Sequence, residues 1–565
     1  MRPIRIANFS GFYGDRASAL SDMFTGADAD VLVGDYLAEV TMSVLAKLRE
    51  RDATAGYATG FLAHLRPIVD EFASSERRIV VNAGGLNPGG LATAIRTLHP
   101  GLEVATVSGD DVMDRLSRAD GAEELDPQTA NAYLGGWGIA RALESGARIV
   151  VCGRVADASL AVGAAAWWHE WRRNDWDALA GALIAGHLIE CGPQVTGGNY
   201  SGFTGLALDR PSFPIAEVDE DGSARITKLP DADGAVTIGT VTAQLLYEIQ
   251  GRWYANPDVV ADLTSVQLEQ LAEDVVGVSG TVGQPPPPTT KVAMTGVGEW
   301  ENSVWLGVTG RHFEQKRRLL ERSLRAALGD GLAHLHVELI GREADDPTSQ
   351  NEATGFLRVV ARGSDEKAVG RKFSGAVVEL ALANYPGLYA TAPPGRAKRC
   401  GVYRSGLIKQ ADVHHVVTTA DGTEIIVDPP NEFREFQPGF DTDDVDAGTE
   451  QVAELVEVPL GSVVDARSGD KGGNANVGFW VGDDARWKWL RTWLTVERLR
   501  ALLPEAAELP VKRVELPNLR AINVVIEGIL GEGAIASLRL DAQAKGLSEF
   551  LLARRVTVPR EILRS

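Results

Sequence analysis

Short apolar runs that stop abruptly in polar, glycine-bearing loops recur five times before Ala158, and they constrain the fold more than any other feature. Ile4-Arg5-Ile6-Ala7 passes Asn8 and Ser10 into Gly11-Phe12-Tyr13-Gly14-Asp15-Arg16. Val31-Leu32-Val33 runs into Gly34-Asp35-Tyr36-Leu37-Ala38-Glu39, and Ile79-Val80-Val81 into Asn82-Ala83-Gly84-Gly85-Leu86-Asn87-Pro88. Val104 to Val107 leads to Ser108-Gly109-Asp110-Asp111, and Ile149 to Cys152 leads to Gly153-Arg154-Val155-Ala156-Asp157. Between these runs, apolar residues recur at helical spacing over Glu39 to Glu50, Tyr57 to Phe72, Pro88 to Leu98 and Ala130 to Leu143. Ala158 to Trp171 and Trp176 to Ile189 continue the pattern. Strand alternating with helix is the signature of parallel strands joined by right-handed crossovers. The expectation for residues 1–205 is therefore a doubly wound, mostly parallel, Rossmann-like α/β domain carrying the site.

Beyond Tyr200 the pattern changes. Asp221-Gly222 and Asp421-Gly422 each sit between alternating runs and predict hairpins. Lys291 to Thr309, His334 to Ile340 and Gly355 to Arg362 read as strands, with helices from Phe313 to Leu328 and Ala368 to Ala383. Residues 206–450 are read as a mixed α/β domain, with acidic Asp441 to Glu450 as a linker. Residues 456–565 predict a small ferredoxin-like α+β domain, in which Arg467 to Asn476 is a polar loop.

At 565 residues the chain exceeds what one core supports, so several domains are expected. Its net charge of −21 argues against nucleic acid and anionic membranes, both of which need a basic footprint. The three cysteines, Cys152, Cys191 and Cys400, fall in no pairing or metal-ligand spacing. No apolar stretch approaches the ~20 residues that span a bilayer. The expectation is a cytoplasmic protein whose partner is a small molecule, and a homo-oligomer on general grounds.

In a parallel sheet the loops at the carboxyl ends of the strands share one edge, where ligands bind. That edge should collect Asn8, Ser10, Asp15, Arg16, Asp35, Glu39, Asn82, Gly84, Gly85, Asn87, Arg154 and Asp157, with Thr196-Gly197-Gly198-Asn199 beside it. Asp35, Glu39 and Asp157 are the proton-moving candidates, because paired carboxylates separate into acid and base. Each also suits a turn or helix cap, the ordinary role of Asp. Arg154 could clamp a carboxylate through its planar fork, and the Gly84-Gly85 loop could present N–H groups to an anion. That loop lacks the spacing of a dinucleotide or phosphate fingerprint, so no cofactor is expected; a divalent ion between carboxylates stays open. In the C-terminal unit Arg467, Lys471 and Asn474 are donors enough to cover a substrate.

Several of these loops, with Pro286-Pro287-Pro288-Thr289-Thr290-Lys291, resemble the acyclic terpene utilisation family of bacteria. The tail from Val458, with Arg467-Ser468-Gly469-Asp470-Lys471-Gly472-Gly473-Asn474, is similar to the ferredoxin-like domain that ends many members. The resemblance implies a place in the breakdown of branched acids as coenzyme A thioesters. Joined to the residues above, it predicts acid–base chemistry on a small carboxylic acid or acyl-coenzyme A, of hydratase or lyase type. The alternative is a noncatalytic ligand-binding or assembly subunit of such a pathway.

Overall fold

The computed structural model describes residues 1–120, 126–436, 439 and 454–563; the expected linker at 441–450 lies outside them. The chain forms two compact units, one of residues 1–295 with 403–565 and one of residues 296–402.

The larger unit is built on an eleven-stranded sheet. At its centre Ile4–Ser10, Val31–Gly34, Arg78–Val81, Ile149–Cys152 and Val104–Ser108 lie side by side and parallel, in that order. The expectation of a mostly parallel sheet needs correction at both edges. Pro214–Val218 runs antiparallel to Ile4–Ser10, and Ala224–Lys228, Val275–Ser279 and Gln267–Ala272 extend that edge. At the other edge His415–Thr418 runs antiparallel to Val104–Ser108, followed by Glu424–Val427. Part of the reason is local: the turns at Gly222 (φ +84°) and Gly422 (φ +88°) reverse the chain at once, so each edge carries an antiparallel hairpin with no crossover helix between its strands.

Alternate strand residues point to opposite faces, and both faces are covered. On one, Phe9, Leu32, Ile79 and Val151 pack under the helices Ala19–Gly26, Gly60–Leu65 and Pro88–Leu98. On the other, Ile6, Val33, Val80 and Val150 meet Trp137–Glu144, Ser159–His169 and Trp176–Glu190. The last of these helices is buried from Ala178 to Glu190, which explains its lack of a polar stripe. The strand Ile149–Cys152 fills a place the chain had skipped, so the connections after Val81 and after Cys152 leave towards opposite faces. Adjacent strands with diverging connections open a crevice at their carboxyl ends.

Two helical readings are corrected. Residues 130–143 split into the strand Pro127–Ala132 and the helix Trp137–Glu144, because Ala132 N donates to Asp110 O and Tyr133 N to Lys291 O. Residues 57–72 break at Arg66–Ile68, where Pro67 lacks the N–H that would continue the helix.

In the smaller unit Thr354–Gly363 pairs antiparallel with His334–Ile340 and with the strand that ends at Thr309. Phe313, Leu320 and Leu324 of the helix Phe313–Leu328 share a core with Val304, Leu306 and Leu357.

The C-terminal part is a separate antiparallel sheet in the order Asp465–Lys471, Asn474–Trp480, Ala521–Ile526, Val511–Leu516. Val477, Phe479, Ile522 and Val524 bury one face against Leu490, Leu499 and Leu551 of its helices. The loop expected at 466–476 is a hairpin, closed at Gly472 (φ +61°) and Gly473. Its apolar residues Ala466, Ala475, Val477 and Phe479 are core members, so pairing the two runs buries them. A Cβ on Gly469 would lie 2.3 Å from the Tyr247 ring, so only glycine admits that ring beside the hairpin.

Candidate functional site

Three of the parallel strand ends build the floor of one cavity. Ser10 Oγ donates to Asp35 O at 3.0 Å, tying the first loop to the second. Asp15 Oδ2 accepts from Gly11 N at 2.6 Å and Phe12 N at 3.1 Å, closing the turn that carries Phe12 and Tyr13 over the edge. Asp35 is only 5% exposed. Its Oδ1 accepts from Asn82 Nδ2 at 2.5 Å and from Leu37 N at 2.9 Å, while Asn82 Oδ1 accepts from Tyr36 N at 2.7 Å. Burial, and then the nearby Asp157, push the Asp35 pKa well above the usual carboxylate range; Arg154 and Asn82 act against them.

Arg154, 2% exposed, enters from the end of Ile149–Cys152. Its Nη1 lies 2.5 Å from Asp157 Oδ1 and 3.4 Å from Leu37 O, and its guanidinium stands 4.0 Å from the Tyr133 ring centroid. Lys291 lies 3.3 Å from Glu39 Oε1 and 5.1 Å from the same ring. Burial opposes its charge, yet Tyr133 and Glu39 outweigh that and hold its pKa above the ordinary value. Tyr133 and Lys291 meet because the strand Pro127–Ala132 pairs with the strand that begins at Thr289.

The C-terminal hairpin supplies the opposite wall. Lys471 Nζ lies 3.2 Å from Glu248 Oε2, and Lys545 contacts Tyr247 OH and lies 3.9 Å from Asp470. Burial alone would raise the Glu248 pKa, but Lys471 and Lys545 bring it down to about 2. Asp470 goes the other way, to about 7, through burial and the Glu248 charge. The cavity, open at one side, holds about 660 Å³. Asp35, Glu39, Asp157, Glu190, Glu248 and Asp470 face it together with Arg154, Lys291, Lys471 and Lys545. Phe12, Val40 and Val44, all exposed, form an apolar lip.

Of the residues singled out in the sequence, Asp15, Asp35, Glu39, Arg154, Asp157, Gly198, Asn199 and Lys471 line this cavity. Asn8, Ser10, Asn82 and Arg467 stand behind it: Asn8 Nδ2 donates to Glu190 O at 3.4 Å, and Arg467 holds Asn199 O at 3.2 Å and the Gln194 side chain. The rest are elsewhere, each for a visible reason. Arg16 turns away to Pro211 O at 2.8 Å and the face of Phe213. In the Gly84-Gly85 loop three successive N–H groups are already spent: Gly85 N on Asn82 O, Leu86 N on Gly56 O, Asn87 N on Gly84 O. Asn87 caps the following helix through Gly90 N at 2.9 Å. Thr196 is tied to Ser212 O at 2.7 Å, and Gly197 (φ +112°) packs against Leu206 and Leu208. Asn474 Oδ1 accepts from Gly528 N at 3.0 Å and lines a neighbouring cleft.

Tyr133, Glu190, Tyr247, Glu248, Asp470 and Lys545 were not foreseen as site residues. Glu248, at φ +62° just after a helix, carries no sequence signal, whereas Lys291 ends the proline-rich motif. Cys152 is fully buried, and burial and then Asp110 push its thiol pKa up, so it is no ready nucleophile. Among the described residues no three His, Cys, Asp or Glu side chains are placed to hold a metal ion. No described helix is long and apolar enough to cross a membrane.

A layered α/β core with a partly open, charge-paired cavity at its carboxyl edge, walled by a ferredoxin-like sheet, defines the class of protein. Residues 4–419 match the acyclic terpene utilisation family protein AtuA, and residues 458–557 match the AtuA ferredoxin-like domain. The first match spans well over half of the 565 residues, and the chain belongs to the acyclic terpene utilisation family. No curated protein matches it.

Proposed function

We propose that the protein is a catabolic enzyme that holds a small carboxylic acid or acyl-coenzyme A thioester in this cavity. There it moves a proton at the carbon beside the carbonyl, in a hydratase- or lyase-type reaction. The observation that carries this reading is the Asp35 carboxyl: buried, fixed by Asn82 and Leu37 N, and facing the cavity with a raised pKa. A carboxylate poised nearer neutrality is a stronger base than one in water and is matched to its task. Lys291 and Lys471, on separate walls, are the cations that would meet an anionic substrate oxygen as charge builds there. Phe12, Val40 and Val44 would cover a hydrocarbon chain at the lip.

The test is incubation with a panel of short and branched acids and their coenzyme A thioesters in heavy water, read by mass spectrometry. The wild-type protein should exchange hydrogen beside the carbonyl, or change the mass by that of water. Asp35→Asn should lower that rate by ~10²–10⁴, the usual contribution of a positioned base. A panel that the wild-type protein leaves wholly unchanged would sink the proposal. One observation favours the noncatalytic reading: Arg154, Lys291 and Lys471 each already contact a carboxylate of the protein. That reading expects retention of an acid or thioester without isotope exchange.

A further inference from the structure

The last turn of the helix Trp176–Glu190 carries two titratable groups on one face, His187 and Glu190, and the second of them reaches the cavity. Glu190 Oε1 lies 3.1 Å from His187 Nδ1. Around this turn, Glu190 Oε2, His187 Nε2, Asn8 Oδ1 and Gln244 Oε1 have no hydrogen-bond partner among the described residues. All four residues are buried, at 9%, 2%, 0% and 1% exposure. They are also neighbours: Asn8 Nδ2 donates to Glu190 O, and Gln244 Nε2 donates to His187 O at 3.0 Å. Native folds rarely leave a buried polar atom unpaired, and an unpaired group costs more than an apolar one in its place. A cluster of them behind Glu190, the member that lines the cavity, is what a proton-handling group needs and a packing residue does not.

We propose that Glu190, oriented by His187, is the second proton-transfer group of this cavity, working beside Asp35. This rests on the acid–base reading above and narrows it to addition or removal of water across the carbons next to the carbonyl. In the elimination direction Asp35 takes the proton from the carbon beside the carbonyl, and that C–H pair becomes the new double bond. The bond from the next carbon to its hydroxyl oxygen breaks, and the Glu190 proton passes to that oxygen to release water. A β-hydroxy acyl compound thus becomes the α,β-unsaturated compound plus water, and the reverse addition returns each proton to its donor. The groups facing Glu190 suit the task. His187 lies on its own helix, Asp157 on the loop after Ile149–Cys152, Lys471 on the C-terminal hairpin, and Tyr254 lies 4.9 Å from the His187 ring. Burial raises the Glu190 pKa to about 7 against the pull of His187, with Asp157 adding to the rise and Lys471 opposing it. Near neutral pH Glu190 therefore exists in both its protonated and its ionised form, so it can give or take a proton.

Two measurements test this. Protein carrying carbon-13 at its glutamate carboxyls is titrated by NMR as wild type, Glu190→Gln and His187→Gln. One carboxyl should titrate near 7, vanish in Glu190→Gln and shift in His187→Gln. A Glu190 that titrates like a solvent-exposed glutamate, or ignores His187→Gln, overturns the pair. In the second, wild type and variants meet β-hydroxyacyl and α,β-unsaturated coenzyme A thioesters in heavy water. Glu190→Gln should keep hydrogen exchange beside the carbonyl while water addition falls ~10²–10⁴-fold, whereas Asp35→Asn loses both. Water addition within a few-fold of wild type in Glu190→Gln overturns the assignment. If the wild-type protein turns over no thioester, the parent reading fails and the NMR titration alone decides whether the Glu190–His187 pair exists.

Discussion

Arg154→Met tests how the cavity floor is held together. The guanidinium is buried between Asp157 Oδ1 at 2.5 Å, Leu37 O at 3.4 Å and the Tyr133 ring at 4.0 Å. Methionine fills much of the same space, so the change removes charge and donors without leaving a large hole. Breaking a buried ion pair from one side costs about 3–5 kcal/mol, because the partner is left uncompensated. The Asp157 side chain is 25% exposed and recovers some hydration, which places the cost near the lower end, about 3 kcal/mol. The cost should also depend on pH. Arg154 pulls the Asp35 pKa down, so its removal lets Asp35 protonate over a wider range. Where Asp35 is ionised two carboxylates face each other without their cation; where falling pH protonates Asp35, part of that repulsion is relieved. Hydrogen exchange by mass spectrometry on peptides spanning residues 31–41 and 149–160 reads the local opening energy directly. The expected result is ~10²-fold faster exchange at pH 8, equivalent to about 3 kcal/mol, and a smaller effect at pH 5. Adding Asp157→Asn should restore much of the loss, since a pair removed together leaves no bare charge. A cost below about 1 kcal/mol at pH 8, equal effects at both pH values, or no rescue would refute the reasoning.

Burial raises the pKa of Glu190 to about 7, and that of Asp110 and of Asp258 to about 6. Each group binds its proton more tightly folded than unfolded, so its stabilisation is complete below the unfolded pKa and is lost as pH rises through the folded value. For Glu190, from 4.5 to about 7, that is about 3 kcal/mol, and calorimetry should show the unfolding midpoint of wild type falling more between pH 5 and 7.5 than that of Glu190→Gln. Gly84→Ala puts a Cβ 2.5 Å from Cys152 O and 2.9 Å from Pro88 Cα, so it should lower stability by about 1–3 kcal/mol or more. Gly89→Ala, in the helix Pro88–Leu98 with nothing within 4 Å, should be neutral or stabilising, and thermal melts of the two separate the cases. Cys152 and Cys191 both have thiols raised by burial, so iodoacetamide should label neither appreciably in the folded protein at pH 8, checked by peptide mass. Lys291→Met should weaken binding of a carboxylate or thioester by ~10-fold or more in calorimetric titration while leaving the fold intact; unchanged affinity would remove Lys291 from the site.

Periodicity along the chain was enough to place the five parallel strands and several of their flanking helices, because alternation and helical spacing record which face of each element is buried. It also placed Asp35, Glu39, Arg154 and Asp157 at strand ends that face one cavity. The antiparallel edges were half legible: Asp221-Gly222 and Asp421-Gly422 declared hairpins, but not that these would dock onto the parallel core. What the tertiary structure alone decided was which loops reach the cavity and which only hold shape. Gly84 and Gly85 have the composition of an anion nest, yet backbone carbonyls from Asn82 and Gly56 take up their loop's N–H groups. Tyr133 faces Lys291 across more than 150 residues because two strands pair, and Tyr247 reaches the hairpin only where Gly469 lacks a Cβ. Local spacing encodes what a residue does to its own element. The partner it meets is set by long-range pairing and close packing, which no window of sequence contains.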